Sequence, residues 1–589
     1  MRQWPRRVTD HARPGRRHPP AATATPEIQE RRMTETTAGA LFDRHRARLD
    51  AAVAACASRE YYSAFDESPS PRVYGETAAA EGKAAFEAWL GSPFPLPTPG
   101  AQGSVATERS PYGVDLGVSY PRAVDVDALL SAARAGMKGW RDAGPDGRTG
   151  VCLEILARLH ARIFELANAV QHTSGQAFVM AFQAGGAHAL DRALEAIAYA
   201  WTEMTRTPAT AIWEKPGRGG PLRMEKTFTV VPRGVALVIG CNTFPTWNSW
   251  PGLFASLVTG NPVVVKPHPA AVLPLAISVQ VCREVLAEAG FDPDLVLLAA
   301  EEPEDRLAAT LAVRPEVRLI DFTGGNAFGD WLEANAGQAV VFTEKAGVNT
   351  VVVDSTSDFA AMCQNLAFSF ALYSGQMCTA PQNVYVPAAG IATEDGVRSP
   401  AEVGAGIGAA LQGLLGDDAR AVELLGGIVN DGVLARLEKA GRGHVLVPSR
   451  EVAHPAYADA TVRTPMLVGL TAEDSDVYES ECFGPVAYLI ETEGTDQSID
   501  LFRHTVLAHG AMTAAVYSTS PEVVEQVREA ALEAGVALSE NLLGGVFVNQ
   551  SAAYSDFHGT GANPAANAAY TDGAYVASRF RVVQSRRHV

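Results

Sequence analysis

A chain of 589 residues exceeds what one hydrophobic core supports and is expected to divide into two or three domains. Its 48 basic against 66 acidic residues give a net charge of −18, which excludes general binding to nucleic acid or to an anionic membrane surface. No apolar run approaches the roughly 20 residues that span a bilayer. The seven cysteines (56, 152, 241, 282, 363, 378 and 482) are odd in number and include no C-x-x-C pair, so neither a disulfide framework nor a metal site is expected, and a reducing cytoplasm fits.

The first 32 residues carry eight arginines, at 2, 6, 7, 13, 16, 17, 31 and 32, against Asp10, Glu27 and Glu30, with several prolines and no apolar stretch. Residues 1–35 therefore read as a disordered leader, or as sequence upstream of a true start at Met33. Helical spacing from Leu41 to Cys56, followed by Pro-rich stretches at 68–73 and 93–100, reads as a helical extension with a linker. Helical patterns resume at 126–143, 151–174 and 180–204, and a Gly and Pro-rich run at 216–221 ends them. The period then changes. Short β-branched runs at 235–239, 263–266, 295–298 and 317–322, the last three separated by helical patterns at 273–289 and 304–312, imply βαβ units. A second α/β region shows strand-like runs at 350–353, 383–386, 445–447, 487–490 and 514–517, with a helix at 522–533. After Gly545 a short strand and a loop rich in small residues are expected. Ligands of such parallel sheets sit at the carboxyl ends of the strands.

Candidate chemistry lies at those ends. Cys378, in Ser374-Gly375-Gln376-Met377-Cys378-Thr379-Ala380-Pro381-Gln382, lies 34 positions after Glu344. A thiol that attacks an electrophilic carbon needs its thiolate, and a turn with free N–H groups to hold the oxyanion it creates. A lone free cysteine is more often a small buried apolar residue. Lys266 ends the strand-like Val263-Val264-Val265, where a cation suits nucleotide hydroxyls or phosphate. The run Thr323-Gly324-Gly325-Asn326-Ala327-Phe328-Gly329 is a glycine-rich turn into a helix, on whose N–H groups a pyrophosphate could rest.

In this order, with Glu481-Cys482-Phe483-Gly484-Pro485 further on, these segments resemble the NAD(P)-dependent aldehyde dehydrogenase superfamily from about Val126 onward. The resemblance implies an α/β fold with a Rossmann-type parallel-sheet cofactor domain, an α/β catalytic domain and a small oligomerisation element. The boundaries expected are 36–343 for the extension and cofactor domain, with an oligomerisation hairpin at about 214–233, then 344–545 for the catalytic domain and 546–589 for a strand and tail at an oligomer interface. It assigns Lys266, Thr323, Gly324, Gly325, Gly329, Glu481 and Phe483 to the cofactor. It makes Cys378 the nucleophile that forms a thioester and Glu344 the base that activates water for its hydrolysis. A homodimer or homotetramer acting on a small aldehyde is implied. Glu344 argues against a relative that transfers the acyl group to coenzyme A or reduces an acyl-CoA, and its presence with Cys378 and Lys266 argues against a silent binding protein of this fold.

Two departures from the family pattern stand out. The asparagine that donates to the oxyanion stands just before Phe-Pro in relatives, whereas here Thr243 occupies that place and Asn242 precedes it; either is a candidate donor. After Lys266 the chain reads Pro267-His268-Pro269, without the glutamate that NAD-specific members often carry at the last position. With that carboxylate absent and His268 as an added donor, NADP is expected to be preferred over NAD. A narrower resemblance, carried by Pro71-Arg72-Val73-Tyr74-Gly75-Glu76-Thr77, by the run from His172 to Met180 and by Cys241-Asn242-Thr243-Phe244-Pro245-Thr246-Trp247-Asn248, is to the stand-alone ring-opening dehydrogenases of phenylacetate catabolism, the PaaN type. It implies a CoA-linked semialdehyde substrate, oxidised to 3-oxo-5,6-dehydrosuberyl-CoA, and a separate ring-opening hydratase as partner.

Overall fold

The computed structural model describes the backbone from Pro26 and side chains from Thr37, so most of the expected leader lies outside the described residues. A helix over Pro26–Ser58 packs its apolar stripe, Leu41, Phe42, Leu49 and Ala52, into the same core as the helix Gly144–Ala161. The extension is thus part of the first body, because Phe65, Phe86 and Phe94 also bury in that core.

The helices at 126–204 and the alternating strands build a five-stranded parallel sheet. Its order is Val296–Leu298, Val263–Lys266, Val235–Ile239, Val317–Thr323 and Val340–Glu344. Buried β-branched runs make these strands apolar on both faces, as helices covering a parallel sheet require. The strand order reverses between Val235–Ile239 and Val317–Thr323, which opens a crevice beyond their carboxyl ends where the loop Cys241-Asn242-Thr243 begins. Val340–Glu344 is a fifth strand that the alternation did not reveal, and the boundary expected between 343 and 344 falls at its last residue.

A seven-stranded sheet follows, ordered His444–Val447, Met466–Thr471, Val486–Thr492, Asn383–Pro387, Thr350–Val353, Ala514–Tyr517 and Leu538–Glu540. All its pairs are parallel except the first. Met466–Thr471 and Leu538–Glu540 are additions to the strands expected. The hairpin expected at about 214–233 is formed by Thr210–Lys215 and Leu222–Pro232, and it takes Phe580–His588 as a third antiparallel strand. The tail strand therefore lies at the chain's end and not directly after Gly545. Among the described residues no helix is long and apolar enough to cross a membrane, and all seven cysteines are free.

Between the two sheets and the last strand the tail crosses the molecule, fastened by a buried ion pair. Arg579 gives Nη1 to Asp321 Oδ2 at 2.8 Å and Nη2 to Oδ1 at 2.6 Å, and Tyr575 Oη donates to the same carboxylate at 2.7 Å. Arg579 is wholly buried. Replacing Asp321 by Ala leaves that guanidinium uncompensated and is expected to destabilise the fold by about 3–5 kcal/mol, read as a lowered denaturation midpoint. An unchanged midpoint would show that the pair does not anchor the tail.

Candidate active site

The helix Phe359–Ala371 runs off the seven-stranded sheet into a turn in which Tyr373, Ser374 and Gly375 all have positive φ, between 52° and 65°. Such conformations are costly for Tyr and Ser and persist only where neighbours hold them. Here Tyr373 Oη donates to the Ser174 carbonyl, and Ser374 Oγ donates to the carbonyls of Gly426 at 3.2 Å and Arg463 at 3.1 Å. At Gly375 a Cβ would come within 2.3 Å of the Gly484 carbonyl oxygen, so glycine lets the cysteine turn touch the Glu481 segment backbone to backbone. Asn349 completes the frame, donating to the carbonyls of Cys378 at 2.7 Å and Ala380 at 2.9 Å while accepting from Met512 and Thr513 N–H. The Cys378 N–H has no hydrogen-bond partner among the described residues.

Glu344, the last residue of its strand, is 1% exposed and meets three donors. Asn248 Nδ2 donates to Oε2 at 2.8 Å, His558 Nε2 lies 3.1 Å from Oε1, and the Cys378 thiol is the third. His558 Nε2 also lies 3.8 Å from Cys378 Sγ. The Glu344, Cys378 and His558 heteroatoms all fall within 4.8 Å of one another. Burial alone would raise the Glu344 pKa, but the charge of His558 and the three hydrogen bonds outweigh it, so the carboxyl sits below its ordinary value. Burial, then the neighbouring Glu344 charge, pushes the Cys378 thiol well above its ordinary value. At rest the site is therefore a neutral thiol facing a carboxylate.

Asn242 and Thr243 do not meet Cys378. Asn242 Nδ2 donates to the Thr173 carbonyl at 3.0 Å, and the Thr243 hydroxyl turns to Cys241 while its carbonyl accepts from Gln176 Nε2 at 2.7 Å. Both expected donors are thus engaged with neighbours. Asn248 and His558 were not singled out from the sequence. Asn248 stood inside a motif already quoted, one helical turn past Phe244, whereas His558, in a loop rich in small residues, carried no local signal.

On the crevice side, Lys266 forms a buried ion pair with Glu301, which lies just past the neighbouring strand Val296–Leu298 and also accepts the Leu307 N–H at 2.6 Å. Glu301 is the third residue missed, and it supplies a carboxylate beside Lys266 despite Pro269. His268 accepts the Ala270 N–H at Nδ1, and packing of the ring together with the Lys266 charge lowers its pKa to about 4 although its outer edge is exposed. It is therefore neutral near pH 7 and adds no positive charge for a 2′-phosphate. Thr323 pairs in register with Glu344, and Gly324 N–H donates to the Glu344 carbonyl at 3.0 Å. The helix Asn326–Asn335 that follows has no side-chain cap, and the space beside Gly325 is open, which suits a pyrophosphate on its N–H groups. Gly329 serves packing instead, since a Cβ there would lie 2.6 Å from the Lys345 side chain. Glu481 is half-buried, and burial raises its pKa to about 7 against the opposing effects of Arg436 and the Gly347 N–H. Arg436 Nε holds the Phe483 carbonyl at 2.9 Å. A lysine–glutamate pair for ribose hydroxyls, an uncapped helix start and a second carboxyl close to Cys378 together fit a nicotinamide dinucleotide.

Opposite the crevice, Cys378 opens onto a cavity of about 470 Å³. Its walls are mainly apolar, with Met180, Phe244, Trp247, Phe368, Leu372 and Leu424 among them. Two walls come from the ends of the chain: Tyr61, Tyr62 and Ser63 from the N-terminal segment, and residues 549–553 with His558 from the tail. The irregular turn Gln183–His188, wound with five-residue hydrogen bonds inside an otherwise α-helical stretch, forms a third. Among the described residues no Lys or Arg lines this cavity, and its one lining pair, His188 with Glu67 at 2.6 Å, is self-contained.

The aldehyde dehydrogenase family profile matches residues 114–544. A crystal structure of an NAD-dependent aldehyde dehydrogenase from Burkholderia multivorans is 58% identical, with a TM-score of 0.92, covering 93% of this chain and 99% of that one. A 1-pyrroline-5-carboxylate dehydrogenase from Thermus with bound NAD shares the fold at 20% identity and a TM-score of 0.68, over 90% of this chain and 99% of its own. The 1-pyrroline-5-carboxylate dehydrogenase of Bacillus thuringiensis (strain Al Hakam) is 23% identical over 478 residues, 77% of this chain and 86% of that protein. The profile spans most of the chain, and its residues include Cys378, Glu344 and the strand ends that surround them: this protein belongs to the aldehyde dehydrogenase family and is an aldehyde-oxidising oxidoreductase.

Proposed function

We propose that the protein oxidises a largely apolar aldehyde to a carboxylic acid with NAD, through a thioester on Cys378. The observation that carries this reading is a thiol at the floor of an apolar cavity, within 4.8 Å of the buried Glu344 carboxyl. Transfer of the thiol proton to Glu344 gives a thiolate and a carboxylic acid. The thiolate bonds to the aldehyde carbon, and the free Cys378 N–H donates to the oxygen that takes up the charge. NAD, when bound, supplies the acceptor for the hydride that this carbon gives up in becoming a thioester. Glu344 then releases its proton to solvent and, ionised again, takes one from the water that cleaves the thioester and restores the thiol.

NAD is favoured over NADP because Glu301 stands beside Lys266, where it accepts from ribose hydroxyls and repels a 2′-phosphate. This replaces the expectation drawn from Pro269. Lys266, Glu301, Gly325, Glu481 and Phe483 are the residues proposed to hold the dinucleotide. An aldehyde that carries a carboxylate, as the name of the pyrroline-5-carboxylate relatives specifies for theirs, would find no cation in this cavity. The apolar walls suit an uncharged chain or ring. The CoA-linked semialdehyde of phenylacetate catabolism, its unsaturated acyl chain in the cavity and its nucleotide outside, remains our narrower proposal, with a separate hydratase supplying it. It rests on the motifs at 71–77, 172–180 and 241–248. Exposed Ile212, Leu222 and Val583 on the three-stranded sheet support assembly as a homodimer or homotetramer through that element.

NADH formation with simple aromatic and aliphatic aldehydes tests the thioester route. Cys378→Ala is expected to form none, while Glu344→Gln, which lacks the acceptor for both the thiol proton and the water proton, loses about 10²-fold or more of both the first-turnover and the steady-state rate. NADH formation by Cys378→Ala at the wild-type rate would sink the reading. For the cofactor, fluorescence titration should show Glu301→Gln narrowing the preference for NAD over NADP by about tenfold or more, through lost like-charge repulsion. An unchanged ratio would remove Glu301 from the ribose site. In the cavity, Tyr62→Ala is expected to raise KM for aromatic aldehydes up to about tenfold with little change in kcat, since Tyr62 contributes an aromatic wall and no reacting group. Equal kinetics in the two enzymes would place the substrate elsewhere.

A further inference from the structure

We infer that His558 is a third catalytic residue, whose single Nε2–H follows the negative charge as it passes between Glu344 and Cys378. The inference rests on the thioester reading above. Its starting point is that one nitrogen faces both reacting groups, 3.1 Å from Glu344 Oε1 and 3.8 Å from Cys378 Sγ. A carboxylate oxygen at hydrogen-bond distance has only lone pairs to offer, so the nitrogen facing it carries the hydrogen. Nε2 therefore cannot accept the thiol proton, and His558 is not the base of a cysteine–histidine pair. The thiol proton goes to Glu344: the S–H bond breaks, an O–H bond forms, and no electrons are exchanged. At that moment the carboxyl becomes neutral and the sulfur becomes the anion, within reach of the same N–H. A donor that bonds the carboxylate before transfer and the thiolate after it stabilises both states without a further proton.

The ring is held for this purpose. His558 and Tyr570 exchange both backbone hydrogen bonds, at 3.0 and 2.9 Å. Trp247 packs edge to face on the imidazole, with centroids 4.5 Å apart, and the Arg192 guanidinium lies over the Trp247 ring at 5.5 Å. The preceding residue, Phe557, is covered by the Arg59 guanidinium at 3.9 Å. Cys241 and Glu481 are the other titratable groups that face Cys378, and both oppose its ionisation; Tyr570 faces Glu344. With the buried Cys241 and Glu481 close by and the expected side-chain donors Asn242 and Thr243 turned away, His558 and the Cys378 N–H are the donors left to hold the thiolate. His558 also lies beyond the matched residues 114–544.

The test is the pH dependence of Cys378 alkylation by iodoacetamide in the full-length protein without cofactor, followed by mass spectrometry of the Cys378 peptide. It reads thiolate formation directly, independent of turnover, so failure of the thioester route is seen separately through Cys378→Ala. A hydrogen bond to the charged form favours that form, and losing it raises the pH at which the thiolate appears. In His558→Phe the alkylation midpoint is expected to rise by about one to two pH units. His558→Gln, which keeps an N–H near the same place, is expected to recover part of that shift. Circular dichroism melts of the variants separate loss of fold from loss of the donor, and if His558→Phe does not fold, His558→Gln is compared with His558→Met. A midpoint unchanged in a folded variant without an N–H at 558 would overturn the inference, as would equal shifts in His558→Gln and the variants that lack the donor.

Discussion

The carboxylate of Glu344 is a charge buried in the interior, and the site is organised around the donors that keep it there. An uncompensated carboxylate in such surroundings would take up a proton, since burial disfavours the charged form. The compensation comes from segments far apart in the chain: Asn248 from the helix after the crevice loop, the thiol from the turn after Phe359–Ala371, and His558 from the tail. Each segment has its own anchor. Asn349 grips the cysteine turn from both sides, and the tail is pinned to the edge of the Glu344 strand, where Lys345 N–H meets the Ala565 carbonyl and Asn567 bonds both polar groups of Thr343. Strand, turn and tail are thereby fixed with respect to one another before any substrate arrives, as catalysis by placed dipoles requires.

The two ends of the chain do for the cavity what the sheets do for the cofactor. The segment after Ser58 is held at Asp191, which accepts from Ser63 Oγ at 2.8 Å and Ala64 N–H at 2.9 Å. Next to it on the same helix, the buried Arg192 pairs with Glu195, and the two reach the tail at Asp556, Ser551 and Tyr554. One helix therefore orders both terminal segments, and Arg59 stacked on Phe557 joins them directly. Cys378 and Glu344 sit on a turn and a strand end inside the matched region, whereas two of the cavity's walls, Tyr61 to Ser63 and residues 549–553, come from segments outside it. This division is what a scaffold with variable connecting segments allows.

Much of the cofactor sheet was legible in the residues. Val235–Ile239 and Val263–Lys266 are short, β-branched and bounded by glycine or proline, and a buried parallel strand needs nothing else to declare itself. Cys378 and Glu344 were legible because each stands in a strand-end or turn motif whose neighbours are adjacent in sequence. The strand Val340–Glu344 was less visible, since its outer edge is covered by the tail and its burial pattern is only half apolar. The choice of cofactor illustrates the limit most clearly. Reading only the residues after Lys266, the missing carboxylate pointed to NADP. The fold brings Glu301 to Lys266 from the end of the next strand, 35 positions away in sequence but adjacent in the sheet.

The sequence by itself determined the α/β class and the family, and marked Cys378 and Glu344 as candidates for nucleophile and base, because strand–turn motifs are local and their chemistry is carried by consecutive residues. Tertiary structure alone decided that Asn242 and Thr243 turn away, that Asn248 and His558 turn in, and that Tyr62 walls the cavity. The reason is physical: a hydrogen bond reaches about 3 Å, and whether two groups come that close depends on the path of the chain between them. For His558 that path runs through the whole catalytic sheet and back along the edge of the Glu344 strand, so no spacing or periodicity in the sequence records it.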